Sequence, residues 1–297
     1  MTGHARTAAR AGRDRLVVVF FLTLAVLVVE FVGALASNSL ALFADAGHML
    51  TDVVGIGLAL GAIWIAERPP DRSRTFGYLR LEILAAVVNA VLLFSVALFV
   101  LYEAWRRLSQ PPEIATGLML AVAIVGLAAN GVSFWLLREP QAASLNMRGA
   151  YLEVLGDLAG STAVIVAAVV IAATGWTQAD AVASVAIALL ILPRTYGLLR
   201  EAVDVLLEAT PKGVDMVQVR AHILEAPGVD EVHDLHAWTI TSGLNVVSAH
   251  VVLGPGADAP AVLDHLCACL ADIFDIEHST FQLESSDRRR LEEHGHA

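Results

Sequence analysis

Two short stretches place ionisable side chains inside long apolar runs: Asp45-Ala-Gly-His48-Met-Leu-Thr-Asp52 and Tyr151-Leu-Glu153-Val-Leu-Gly-Asp157. His48 and Asp52 are four residues apart, and so are Glu153 and Asp157. On a helix that spacing puts each pair on one face, and Asp45, three residues before His48, shares the face of the first pair. Facing one another, the two pairs offer one imidazole and three carboxylates. That donor set suits a divalent ion held tetrahedrally by nitrogen and oxygen. A bound cation would also offset charges that a bilayer interior penalises. One acidic i, i+4 pair is a weak signal; two, in separate apolar runs, are a specific one. The competing reading places these groups near helix ends, where they reach water by snorkelling.

The elements that must position these groups are membrane-spanning helices. The chain has 297 residues, 57% of them hydrophobic and 16% charged, against roughly half and a quarter in soluble domains. A spanning helix needs about 20 apolar residues, and six runs qualify, near 16–36, 40–66, 80–104, 114–137, 148–173 and 179–199. Pro69-Pro70 and Pro111-Pro112 fall between runs, where proline ends a helix without spoiling its interior, and Gly175-Trp176 marks the last turn. Orientation follows from arginine. With the N-terminus inside, the inner segments hold Arg6, Arg10, Arg13, Arg15, Arg68, Arg72, Arg74, Arg80, Arg138, Arg148, Arg194 and Arg200, and the outer ones only Arg106 and Arg107. Six spans then return the chain to the cytoplasm, so both termini are cytoplasmic. The basic start leads into the first run without a signal-cleavage pattern, and the Ala/Arg-rich style of the chain suggests a bacterial inner membrane. Glu30, Asn38, Asn89, Asn130 and Ser133 could line a path or hydrogen-bond between helices. Gly55, Gly57, Gly61, Gly156 and Gly160 would let helices approach closely.

After residue 210 the character changes. Residues 211–297 carry a net charge of −9, against −2 for the rest, and eight of the ten His. Helical signals near 214–226 and 259–274 and strand-like alternation near 229–241, 245–253 and 277–284 predict a small α+β unit, with a hairpin turn at Ser242-Gly243. By strict alternation His236 and Trp238 face away from His233. Cys267 and Cys269, the only cysteines, read as ordinary thiols in a reducing compartment; their spacing suits neither a disulfide nor a zinc module. An acidic chain is a poor partner for nucleic acid, which needs a basic surface. There is no His-Glu-x-x-His, and Gly160-Ser161 has no obvious His partner, so an enzyme is not expected.

Several stretches, taken together, resemble the cation diffusion facilitator family, metal/proton antiporters that include zinc and cadmium exporters. They are Ser39-Leu40-Ala41-Leu42-Phe43-Ala44-Asp45-Ala46-Gly47-His48 with Asp52, Phe76-Gly77-Tyr78-Leu79-Arg80-Leu81-Glu82, Leu155-Gly156-Asp157 with Gly160-Ser161, Leu206-Leu207-Glu208-Ala209-Thr210-Pro211, and Val232-His233-Asp234-Leu235-His236-Ala237-Trp238. The resemblance covers about 16–285. It implies a mainly α membrane protein, a six-helix transmembrane bundle followed by a cytoplasmic ferredoxin-like, metallochaperone-type α+β domain that forms a homodimer. The division expected is a cytoplasmic N-terminal tail at 1–15, a transport domain at 16–208, a metal-sensing and dimerisation domain at 209–287, and a disordered end at 288–297 that includes His294 and His296.

The family's transport site falls on His48, Asp52, Glu153 and Asp157, with Asp45 as a tuning group. The departure is Glu153, where zinc exporters of the family usually have His; Glu is a harder oxygen ligand with an added charge. The loop at 138–148 has no His, although many relatives make it His-rich. His233, His250, His278 and Glu284 resemble the family's tail metal positions, with His265 as a further contributor. The implied function is secondary active export of a divalent metal, zinc first and cadmium, cobalt, iron or manganese next, in exchange for protons by alternating access. The metal is substrate and regulator, and no organic cofactor is expected; lipid, metal and protons are the other partners. The alternative is a metal-gated channel or a non-transporting membrane metal sensor.

Overall fold

The computed structural model describes residues 3–66, 68–138, 145–276 and 278–289, with side chains for these except 3–17, 56, 59, 60, 63 and 145–150. Of the end at 288–297 expected to be disordered, residues 288 and 289 lie in a short helix, and 290–297, with His294 and His296, lie outside the described residues, as do the side chains of Arg6, Arg10, Arg13, Arg15 and Arg148. The element order is α1 (Gly3–Ser37), α2 (Leu40–Ala66), α3 (Leu81–Ser109), α4 (Thr116–Leu137), α5 (Leu145–Thr174), α6 (Gln178–Leu206), α7 (Met216–Leu224), β1 (Val229–Thr241), β2 (Leu244–Leu253), α8 (Ala259–Phe274), β3 (His278–Ser285) and α9 (Ser286–Arg289).

Five of these helices are long and apolar enough to cross a membrane: Val18–Ser37 of α1, then α3, α4, Tyr151–Thr174 of α5, and α6. At 27 residues α2 is long enough for a sixth. Large apolar side chains face outward, as they do where lipid is the solvent. Trp64, Trp105, Trp135 and Trp176, each at or beyond a helix end, are all exposed, in the manner of the aromatic belts that anchor spans at the two interfaces. The chain forms two compact units, one holding residues up to Leu58 with Val88–Leu199, the other Ala59–Val87 with residues from Arg200 on.

In the first unit the core is rich in alanine and small β-branched residues, with Leu40, Leu42, Val100, Met119, Val164 and Ile187 at its centre. Small residues let the helices close up. A Cβ on Gly126 of α4 would lie 2.2 Å from Oε1 of Glu30 on α1, and one on Gly160 of α5 would lie 2.4 Å from Oδ1 of Asp45 on α2. Gly55 likewise abuts Asn89, whereas a Cβ on Gly57, Gly61 or Gly156 would meet no described atom within 4 Å. The turn between α1 and α2 places Asn38 at φ 58°, a left-handed conformation that Asn tolerates better than most residues. Asp180, at the start of α6, receives the N–H groups of the first turn of α2. Pro193 lies inside α6.

In the second unit the sheet order is β1-β2-β3. β1 and β2 run antiparallel; β2 and β3 run parallel, joined by α8. Helices α7 and α8 cover one face: Val219, Ile223, Val262, Leu266 and Leu270 pack on Val232, Val247, Ala249 and Val251. Asp215 caps α7, its side chain accepting the N–H of Val217 at 2.9 Å. Gly243, at φ +76°, makes the hairpin turn. Glu82, at the start of α3, accepts hydrogen bonds from the hydroxyls of Thr241 and Ser242 at that turn, and Arg80 pairs with Glu208 at 2.8 Å.

The strand alternation expected for His236 and Trp238 is corrected here. The β1–β2 register slips between His233 and His236, and Asp234 sits there at φ 49°. The extra residue of this bulge turns the strand by one position. His233 pairs with His250, His236 with Ser248 and Trp238 with Val246, so all three lie on one face, opposite the helices.

Candidate metal centres

The span site is built on α2 and α5. His48 and Asp52 stand one turn apart on α2, with Nε2 of His48 3.5 Å from Oδ2 of Asp52. Glu153 and Asp157 repeat that spacing on α5. Asp157 is buried, and its Oδ1 has no hydrogen-bond partner, nor has Nδ1 of His48. Buried polar atoms are nearly always satisfied, so two such atoms in one bundle point to a ligand. The carboxylates of Asp52, Glu153 and Asp157 are near enough for their charges to act on one another. A void of about 10 Å³ beside His48, lined by Ala44, Val96, Ala97, Val100 and Ile191, holds one water at most.

The four donors are gathered but not closed into a coordination sphere. Glu153 is engaged by Arg194 of α6, whose Nη2 lies 3.0 Å from Oε1. The charge of Arg194 also reaches His48, Asp52 and Asp157. Sequence reasoning counted Arg194 as a marker of the cytoplasmic side. The signal that finds it is a cation within a helix that runs unbroken to Leu206, since cations inside spans pair with something.

Behind this site lies a second polar layer. Ser161 donates to Oδ2 of Asp45 at 3.4 Å and lies 3.5 Å from Nδ2 of Asn130. Glu30 is fully buried, and neither of its carboxylate oxygens has a hydrogen-bond partner. Ser133 is buried on α4, and Asn89 lies against Gly55. Asn38 belongs to the α1–α2 turn, where its amide donates to the carbonyl of Glu113 at 3.2 Å.

In the second unit, His233, His250 and Glu284 each offer a donor atom within 4.8 Å of the others, and among the described residues no other set of three or more does so. Nδ1 of His250 lies 3.1 Å from Oε1 of Glu284, and Nε2 of His233 lies 3.7 Å from Oε2. Three neighbouring strands bring this about: His233 of β1 faces His250 of β2, and Glu284 of β3 stands opposite Val252 of β2. Two imidazoles and a carboxylate, largely buried, fit a divalent ion of the zinc type.

His278 is not brought to this set. It begins β3 opposite Val246, six residues before Glu284 and so about 20 Å along the strand at the usual rise. Its ring packs edge-on against Phe76, centroids 5.7 Å apart. His265 is exposed on α8, on the other side of the sheet. The thiols are occupied otherwise. Cys269 donates to the carbonyl of Leu266 at 3.3 Å, burial pushes its thiol above the usual range, and Cys267 accepts from Ser279 at 3.4 Å.

Comparison with known proteins identifies the family. Residues 16–207 match the family model described as the cation efflux transmembrane domain, and residues 211–286 the one described as the cation efflux protein, cytoplasmic domain. The chain is 47% identical to the cation efflux system protein CzcD of Alcaligenes sp. (strain CT14), over 95% of this chain and 90% of that protein. It is 41% identical to the zinc transporter ZitB of Escherichia coli (strain K12), over 95% and 91%. With the cadmium, cobalt and zinc/H(+)-K(+) antiporter of Bacillus velezensis (strain DSM 23117 / BGSC 10A6 / LMG 26770 / FZB42) it shares 39% identity, over 96% and 92%. Among solved structures it is similar to the metal-bound C-terminal domain of the CzcD transporter from Cuprividus metallidurans, at 44% identity over 24% of this chain and 99% of that one, with a TM-score of 0.23. A multi-pass helical bundle with paired donors on α2 and α5, followed by a small α+β unit, thus occurs in a chain matched over nearly its whole length, and the chain belongs to the cation efflux, or cation diffusion facilitator, family.

Proposed function

We propose that this chain exports a divalent metal ion, zinc first, from the cytoplasm in exchange for protons, with His48, Asp52, Glu153 and Asp157 as the transport site. The observation that carries the reading is the pair of donor sets at one spacing on α2 and α5, with an oxygen of buried Asp157 left without a hydrogen bond. Open to the cytoplasm, neutral His48 and the three carboxylates take the ion. Open to the outside, protons compete for the same atoms and expel it, because a ligand must be deprotonated to bind. Histidine suits this exchange, since its ordinary titration lies near neutrality. Zinc is favoured by the imidazole and by relatives named for zinc; the extra oxygen ligand leaves cadmium, cobalt, iron and manganese as further substrates. Asp45 tunes the site from the layer behind it.

The residues at 16–208 are read as the transport domain, in a bacterial cytoplasmic membrane with the tail at 1–15 and the C-terminal residues inside, as the arginine distribution favours. The residues at 209–287 are read as a sensor. His233, His250 and Glu284 would hold a regulatory ion there, which supplies a cationic bridge in an acidic domain and favours the homodimer.

The test is metal uptake into proteoliposomes under an imposed pH gradient, with zinc, cadmium, cobalt, manganese and iron. Wild type takes up zinc only with the gradient, and Asp157→Asn takes up none although it is folded. Uptake by Asp157→Asn at the wild-type rate removes the site assignment. Uptake indifferent to the gradient makes the protein a channel.

A further inference from the structure

We propose that Arg194 is a built-in counter-cation of the transport site that sets how tightly the metal is held. The proposal rests on the reading that His48, Asp52, Glu153 and Asp157 bind the ion. Three ionised carboxylates and a neutral imidazole carry three negative charges. A divalent ion offsets two of them, and the guanidinium of Arg194, 3.0 Å from Glu153, offsets the third. The loaded site is then neutral, which is the state a bilayer interior tolerates best.

Arg194 pairs with the Glu153 carboxylate, so an arriving metal displaces a tethered cation rather than entering a bare acidic cluster. After release the guanidinium returns to Glu153. Arg194 is a positioning residue: it touches Glu153, and its charge reaches His48, Asp52 and Asp157. Half of its side chain is exposed and a third of that of Glu153, so solvent screens the pair and its effect is moderate.

The charge count makes the sign of each substitution definite. Arg194→Gln leaves the loaded site with a net negative charge: KM for zinc falls about three- to tenfold, and the maximal rate falls because release slows. Arg194→Lys keeps the charge and keeps KM. Glu153→Gln leaves Arg194 uncompensated and raises KM, and adding Arg194→Gln to it brings KM back down toward the wild-type value. The measurement is initial-rate zinc uptake by the full chain in proteoliposomes, with Arg194→Met as a second charge-removing variant should Arg194→Gln not accumulate.

A purely structural Arg194 would lower the rate without lowering KM. KM unchanged or raised in the charge-removing variants overturns the proposal, as does Arg194→Lys behaving like Arg194→Gln. Asp157→Asn runs alongside. If it still transports, the site reading itself has failed; if it is inactive while Arg194→Gln keeps the wild-type KM, only the counter-cation role has.

Discussion

The carboxylate of Asp180 caps α2 from another helix: its Oδ2 accepts the N–H of Leu40 at 2.7 Å. Oδ1 accepts the hydroxyl of Ser39 at 2.6 Å and the N–H of Ala41 at 3.2 Å, and Arg107 stands 3.7 Å from Oδ2. The first N–H groups of a helix have no partner within it, and inside a bundle they have no water either. The start of α2, five residues before Asp45, thus depends on a side chain 140 positions away.

Asp180→Ala strands these donors. The expected cost is about 2–4 kcal/mol, read as a lower thermal unfolding midpoint of the detergent-purified protein. Asp180→Asn, which still accepts hydrogen bonds, loses less. Equal midpoints for wild type and Asp180→Ala would show that the cap contributes nothing.

Two glycines give opposite expectations. Gly126→Ala forces a methyl to within 2.2 Å of Glu30, an overpacked site that costs about 1–3 kcal/mol. Gly57→Ala meets no described atom within 4 Å and gains helix propensity of about 0.5–1 kcal/mol. Unfolding midpoints of the two variants should therefore move in opposite directions; movement in the same direction contradicts the packing described around Glu30.

Three donors come together in the candidate tail site, and His278 is not among them. His250→Ala in the full chain should weaken one class of zinc site at least about tenfold, as expected when a ligand is lost, while His278→Ala leaves it unchanged. Equilibrium dialysis measures both. Zinc at about a hundredfold its dissociation constant should stabilise the tail by roughly 2.7 kcal/mol, an increment that a chelator abolishes. Equal losses in the two variants would place His278 in the site.

The parts of this structure that were legible in the sequence are those set by periodicity. The run at 40–66 became α2 at Leu40–Ala66, and the strand at 229–241 became β1 at Val229–Thr241. The i, i+4 pairs could be read because a helix guarantees which residues share a face. What was not legible depends on tertiary approach. Arg194, within the run at 179–199, was read only as a charge marking the inner side, and its pairing with Glu153 shows only when α5 and α6 are seen together. His236 was assigned to the wrong face because one residue in a left-handed conformation, Asp234, resets the strand's parity. His278 has the right residue type but the wrong end of its strand.

The proline in α6 has a mechanical consequence. Pro193 has no N–H, so the carbonyl of Leu189, one turn earlier, loses its helical bond. A helix bends most easily where a rung is missing. α6 therefore behaves as two stiff rods with a joint between them, and Arg194 is the first residue beyond the joint. A change of angle there re-aims the Arg194 side chain, while the start of α6, tied to α2 through Asp180, stays fixed. Flexing at one peptide is thus enough to move a charge relative to Glu153, without melting or rebuilding either helix.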